Sequence, residues 1–245
     1  MLVMVNVDRV VENYVAVWNE SDADERRRRI RAVWTANGST CFRLLDAHGY
    51  EEIEERVRTS WEKWGQQGKY EFRPRSAWFH HNTIKFDFAA VAASEGDRVA
   101  ANGLSFLILD SDGLIQDDFQ FNPTANDANE MAAPYMAILN ETNPQIRRRR
   151  IIALWAPDGT FVSEKSLRKG YDEIEAGVTA AHDACAAKGL VFLPGDRFQQ
   201  HHNVARLTWE LRAKDSATVS AAGSDLLVMD DRGRILFDYQ FAEPL

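Results

Sequence analysis

One string occurs twice in this chain. ERRRRIRAVW fills positions 25–34, and IRRRRIIALW fills 146–155. Laying Arg26–Arg29 on Arg147–Arg150 sets an offset of 121 (147 − 26). The same offset carries Tyr14 onto Tyr135, Asn19-Glu20 onto Asn140-Glu141, Trp34 onto Trp155, Gly49-Tyr50 onto Gly170-Tyr171, and His80-His81-Asn82 onto His201-His202-Asn203. Toward the end of each copy it becomes 120 (241 − 121), with Gly113 on Gly233, Asp118 on Asp238, and Gln120-Phe121 on Gln240-Phe241. Matches in one order along the whole chain mark a tandem duplication. The expected domains are 1–123 and 124–245, joined by the polar, proline-bearing segment Asn122–Glu130. Whatever one half folds into, the other must be able to fold into as well.

Each half reads as α-α-β-α-β-β-β-β. Val11, Tyr14, Val15 and Trp18 recur at i, i+3, i+4, i+7, the period of a one-sided helix. A second helix carries the arginines, and a short strand follows near Cys41–Leu45 and Thr160–Ser163. A third helix begins near Gly49 or Gly170. Four longer strand-like segments close each copy, in the second copy Val191–Gln200, Asn203–Ala213, Thr218–Met229 and Arg234–Phe241. Helices followed by a run of strands predict an α+β unit with a curved antiparallel sheet.

The arginine runs do not predict a polyanion site. Four consecutive residues spread over most of a helix's circumference, so they form no single basic face. The chain's formal net charge of −8 opposes nucleic acid as a whole. Ile30, Val33 and Trp34 mark the apolar stripe of the first copy, and Ile151, Leu154 and Trp155 that of the second. Arg26, Arg27, Arg147 and Arg148 are expected to flank these stripes with their aliphatic stems. No run of eighteen apolar residues predicts a membrane span, and the first residues read as no signal peptide. Cys41 and Cys185 stand far apart, which suits free thiols in a reducing cytoplasm. No HxxxH, HxH or glycine-rich phosphate loop is present, so neither a metal nor a cofactor is expected.

Strand alternation nominates the residues of an interior pocket. Ile84, Phe86 and Phe88 share one parity, as do Ala205, Leu207 and Trp209. If these face inward, His80 and Asn82 follow in the first copy, and His201 and Asn203 in the second. A bulge would substitute His81 and His202. On the last strand Asp117 shares parity with Ile115, Phe119 and Phe121, where the second copy has Phe237. An inward Asp117 would be a carboxylate in an apolar cone, suited to acid or base work. In the second copy Asp225 shares parity with Leu227 and Met229. The expected catalytic groups are therefore His80, Asp117, His201 and Asp225. Tyr14, Trp18, His81, Asn82, Phe88, Tyr135, His202, Asn203 and Trp209 are expected to contact a ligand.

The order WNE, an arginine-rich helix, Trp, Gly-Tyr-(Asp/Glu)-Glu-Ile, FLPGDRF, HHNVARLTWEL and DDRGRI resembles the SnoaL-like branch of the NTF2-like superfamily. The second copy carries the clearest strings, Phe192–Phe198 and His201–Leu211. The resemblance implies two tandem cones, each three helices against a bent sheet around a mostly apolar pocket. It implies either cofactor-free cyclase, isomerase or dehydratase chemistry on a small apolar or polyketide-like molecule, or a non-catalytic binder or accessory protein. It also implies an intramolecular pseudo-dimer through the outer sheet faces, with a further homodimer compatible. One departure stands out. Many SnoaL-like proteins carry Tyr-x-Asp-Pro after the second helix, where this chain reads TCFRLLD and TFVSEKS.

Overall fold

Apolar periodicity sets the first helix of each half. In α1 (Val7–Asn19) Val11, Tyr14, Val15 and Trp18 are buried on one side, and Asn6 caps the helix by accepting from the Arg9 amide. In α2 (Ala23–Val33) Asp22 caps in the same way through the Glu25 amide. Trp34 ends that helix and starts β1 (Trp34–Phe42), so the strand begins earlier than the sequence suggests. A short β2 (Leu45–His48) follows, then α3 (Gly49–Trp61) with a π-helical turn at Glu62–Gln67. Four strands complete the half: β3 (Glu71–His80), β4 (Thr83–Ala92), β5 (Arg98–Leu109) and β6 (Ile115–Phe121). The second half repeats the order as α4 (Ala132–Leu139), α5 (Pro144–Leu154), β7 (Trp155–Ser163), β8 (Ser166–Lys169), α6 (Gly170–Ala186), β9 (Leu190–His201), β10 (Val204–Ala213), β11 (Val219–Met229) and β12 (Ile235–Glu243). Gly49 and Gly170 open α3 and α6 at φ +70° and +78°, a region that favours glycine, which accounts for this repeated Gly-Tyr.

This computed structural model describes residues 6–92, 96–122, 127 and 131–243. The chain divides into two units, Met1–Thr124 and Ala125–Leu245. Of the expected joint, all but Asn122 and Asp127 lies outside the described residues. Asp127 is held to β9, its amide donating to the Phe198 carbonyl and its carboxylate accepting from the Gln200 amide. Each unit is α+β, with three helices and a six-stranded sheet in the order β2-β1-β6-β5-β4-β3 or β8-β7-β12-β11-β10-β9. The sheets contain one element beyond the expected order, the short strand β2 or β8, and one parallel pairing, β1 with β6 or β7 with β12. Among the described residues no helix is long and apolar enough to cross a membrane.

The core of each unit lies between its helices and one sheet face. In the first, Tyr14, Val15, Trp18, Ile30, Trp34, Ile53, Ile84, Phe86 and Leu107 form a continuous cluster. In the second, Tyr135, Met136, Ile151, Trp155, Ile174, Leu207, Trp209 and Leu227 form the counterpart. The expected parity of β4 and β10 therefore holds.

The arginine runs are used within each unit. Arg26 and Arg147 are each 3% exposed. Their Nη1 atoms donate to the carbonyls of Glu20 (2.9 Å) and Glu141 (2.6 Å), tying the second helix to the turn before it. Arg27 bridges Asp24 and Glu54, and Arg148 bridges Asp172 and Glu175, so each links its helix to the third helix of its unit. Arg28 pairs with Glu25 on the surface.

Candidate functional site

The first unit encloses a cavity of about 1050 Å³. Tyr14, Val15 and Trp18 of α1, Phe72 of β3, Phe88 of β4, and Trp64 of the π-helical turn give it an apolar wall. Phe72 meets Phe88 edge-on at 5.8 Å. Gly103 lines the cavity opposite Phe88, where a Cβ would stand 2.1 Å from the ring, so only glycine lets the ring lie against β5. Arg56 of α3 and Gln120 of β6 supply polar groups.

These polar groups form one network. The Tyr14 hydroxyl donates to Asp118 Oδ2 at 2.8 Å. It accepts from Gln120 Nε2 at 2.7 Å and lies 3.1 Å from Ser105 Oγ. Thr40 Oγ1 also donates to Asp118 Oδ2, at 2.8 Å. Arg56 Nη2 donates to Gln120 Oε1 at 2.6 Å, and its Nε approaches Thr40 at 3.4 Å. The Arg56 guanidinium lies 5.5 Å from the Trp18 ring centroid. Asp118 is fully buried, and its Oδ1 has no hydrogen-bond partner among the described residues. Burial pushes its carboxyl up to about 6, against the opposing pull of the Tyr14 and Thr40 hydroxyls and the Arg56 charge. Burial and the neighbouring Asp118 hold the Tyr14 phenol well above its ordinary range.

The sequence expectation named Asp117 where the fold uses Asp118. Gln116 is an extra residue in β6: Leu109 pairs with Ile115 and Ile108 pairs with Asp117. This bulge inverts parity beyond it. Asp118 then stands opposite Leu107 on the core face, while Phe119 stands opposite Phe106 on the other. Asp117 accepts instead from Ser39 Oγ at 2.8 Å. The same irregularity in β12 separates Phe237 from Ile235 and turns Asp238 inward. The missed carboxylates had left a signal, since Asp118 and Asp238 match in the repeat, as do Gln120 and Gln240. Arg56 had left none, because its counterpart is Gly177.

The histidines also stand elsewhere than expected. His81 and Asn82 form a two-residue turn between β3 and β4, with His81 at φ +54°. His80 pairs across the turn with Thr83, on the parity opposite to Ile84. Neither histidine nor Asn82 lines the cavity, and the Asn82 side chain is spent on the Leu109 carbonyl at 3.1 Å. His201, His202 and Asn203 hold the equivalent turn, with the two histidine Nδ1 atoms 3.0 Å apart. Of the expected ligand contacts, Tyr14, Trp18 and Phe88 line the cavity.

The second unit arranges the same positions differently. Tyr135 donates to Asp238 Oδ2 at 2.6 Å. Asp225, where the first unit has Ser105, is a second fully buried carboxyl and accepts from Trp209 Nε1 at 3.3 Å. Burial and the charge of Asp225 hold Asp238 well above the carboxylate range. Gly177 stands at the sequence position of Arg56, and the Arg168 side chain from β8 lies over it, 2.4 Å from where a Cβ would be.

No protein-family model matches the chain, and no curated protein does. The solved structures that match include SnoaL-like and NTF2-like proteins. One, described as an isomerase of the SnoaL-like family from Agrobacterium tumefaciens, is 26% identical with a TM-score of 0.43, covering 46% of this chain and 94% of its own. Another, described as a polyketide cyclase from Sinorhizobium meliloti, is 16% identical with a TM-score of 0.37, covering 47% and 96%. An NTF2-like protein of unknown function from Exiguobacterium is 15% identical with a TM-score of 0.37, covering 46% and 98%. Each spans about half of this chain.

Proposed function

We propose that the first unit binds a small, largely apolar carbonyl compound and moves a proton on it without a cofactor. The observation that carries this reading is the Tyr14–Asp118 pair, a cavity-lining hydroxyl 2.8 Å from a buried carboxyl held at about 6. When Asp118 is ionised, Tyr14 gives its proton to that carboxylate. When Asp118 is protonated it donates to the Tyr14 oxygen instead, and the phenolic proton turns to the cavity. A ligand carbonyl oxygen then takes the Tyr14 proton while Asp118 resupplies Tyr14. The proton on the neighbouring carbon leaves to water at the mouth, and an enol forms. The Arg56 guanidinium, in the same lining, steadies the oxygen as its charge develops.

Hydrogen–deuterium exchange at the α-carbons of 2-tetralone in D₂O, followed by NMR, tests this. Exchange should be catalysed, fall as pH rises above about 6, and drop at least about 100-fold in Asp118→Asn and Tyr14→Phe, the scale of general acid catalysis. Binding without catalysed exchange would sink the relay. It would leave the second reading, a binder without turnover. One observation favours that reading: in the ionised state the Tyr14 hydroxyl is spent on Asp118, Gln120 and Ser105.

A further inference from the structure

We infer that the ligand of the first unit's cavity carries a carboxylate, and that Arg56 is its anchor. The inference rests on the proposal that this cavity takes a small apolar molecule, and not on the proton relay. Arg56 lines the cavity and is only half-buried, yet no carboxylate lies within ion-pair distance of it among the described residues. Two neighbouring arginines do find acids, Arg27 with Glu54 across the α2–α3 seam and Arg58 with Glu55 along α3. Arg56 instead spends one N–H on the Gln120 amide oxygen and approaches Thr40 with another. Asp118, whose carboxyl feels the guanidinium, is separated from it by those two side chains.

Stacking on Trp18 completes the case. With Nε and one Nη2 N–H engaged by Thr40 and Gln120, the Nη1 group and the second Nη2 N–H form an end-on pair that matches the two oxygens of a carboxylate. The remaining charged groups of the lining do not compete for this role. Asp46, Glu51, Glu52, Glu55 and Lys63 are all exposed, where solvent screens them. Several are already engaged: Glu55 with Arg58, Glu52 with the His48 amide, and Asp46 with His48. Apolar walls of Phe72, Phe88 and Trp64 suit a hydrocarbon or aromatic body behind the acid head. A volume of about 1050 Å³ is at the upper end of small-molecule pockets, about 300–1,000 Å³.

The second unit has no counterpart. Gly177 replaces Arg56 with Arg168 from β8 lying over it, Leu139 replaces Trp18, and Asp225 adds a second buried acid. The pairing of Arg56 with Trp18 therefore belongs to the first unit alone.

Calorimetry on the full chain with three probes of equal chain length tests this: decanoate, 1-decanol and decyltrimethylammonium. Decanoate should bind at least tenfold more tightly than decanol, and the cation most weakly. Arg56→Gln should abolish the difference between decanoate and decanol while leaving decanol affinity within about twofold. Arg56→Lys should keep part of it, and matched thermal melts exclude misfolding as the cause. Equal binding of decanoate and decanol, or an acid preference that survives Arg56→Gln, would overturn the inference while the cavity reading stands. Absence of binding by all three would overturn both. Decanoate binding without 2-tetralone exchange would remove only the relay.

Discussion

At the scale of single residues, Tyr14 and Asp118 decide the character of the first unit. An aspartate in an unfolded chain titrates near 3.9. Asp118 in the fold is pushed up to about 6, so between those values the folded state holds the extra proton. The stability linked to that proton is complete below about pH 4 and is lost as pH rises through about 6, a span worth up to roughly 3 kcal/mol. Asp118→Asn should remove this loss. Urea melts of the variant should therefore show a shallower decline between pH 4 and pH 7 than the wild type, and an unchanged slope would refute the placement. Tyr14→Phe acts in the other direction. It strips a hydrogen bond from Asp118 and from Gln120 and Ser105, which should cost about 1–3 kcal/mol for buried groups left unpaired. It should also raise the Asp118 pKa further, because the Tyr14 hydrogen bond lowers it; ¹³C NMR titration of the carboxyl reads that change.

At the scale of elements, what was legible in the sequence was periodic, and what was missed was a single added residue. The period of 3.6 placed α1, and alternation placed the inward faces of β4, β10 and β11, because those strands run without a bulge near the core. Alternation failed in β6, where one extra residue, Gln116, exchanged Asp117 for Asp118. It failed again at the His80–Thr83 hairpin, where a tight turn carries the strand to the opposite parity. Arg56 could not be found from period or repeat, since its value comes from what it faces across the fold. The arginine runs were half legible. Helical angle separated buried from solvated members, but not the carbonyls that Arg26 and Arg147 reach. Those charge-assisted hydrogen bonds predict an asymmetry within one run. Arg26→Met should destabilise by about 1.5–3 kcal/mol, whereas Arg28→Ala, which loses one exposed pair with Glu25, should change stability by less than about 1 kcal/mol. Thermal melts of the two variants side by side check this, and equal effects would refute it.

At the scale of the whole molecule, duplication has produced two interiors of opposite electrostatic logic. The first sets one buried carboxyl, Asp118, in the field of a cation, Arg56, with Thr40 and Gln120 between them. The second sets two, Asp225 and Asp238, around Tyr135, and at the sequence position of Arg56 stands Gly177, with Arg168 from β8 over it. Two carboxyls buried together cannot both ionise cheaply, so the pair gives up its last proton only well above the ordinary carboxylate range. Each further rise in pH works against the folded second unit. Asp238 is held well above its ordinary range, so stability tied to its proton is present at low pH and lost as pH climbs through that raised value. The first unit suggests the remedy, because it carries Ser105 where the second carries Asp225. Asp225→Ser removes one like charge and lets Asp238 ionise against the Tyr135 hydroxyl alone. The variant should gain more stability at pH 8 than at pH 5, because the wild-type pair holds its shared proton more fully in acid. Calorimetric melting of the full chain at both pH values reads the difference. A gain of equal size at pH 5 and pH 8 would mean that Asp225 is costly for its burial alone, and that the two carboxyls do not share a proton.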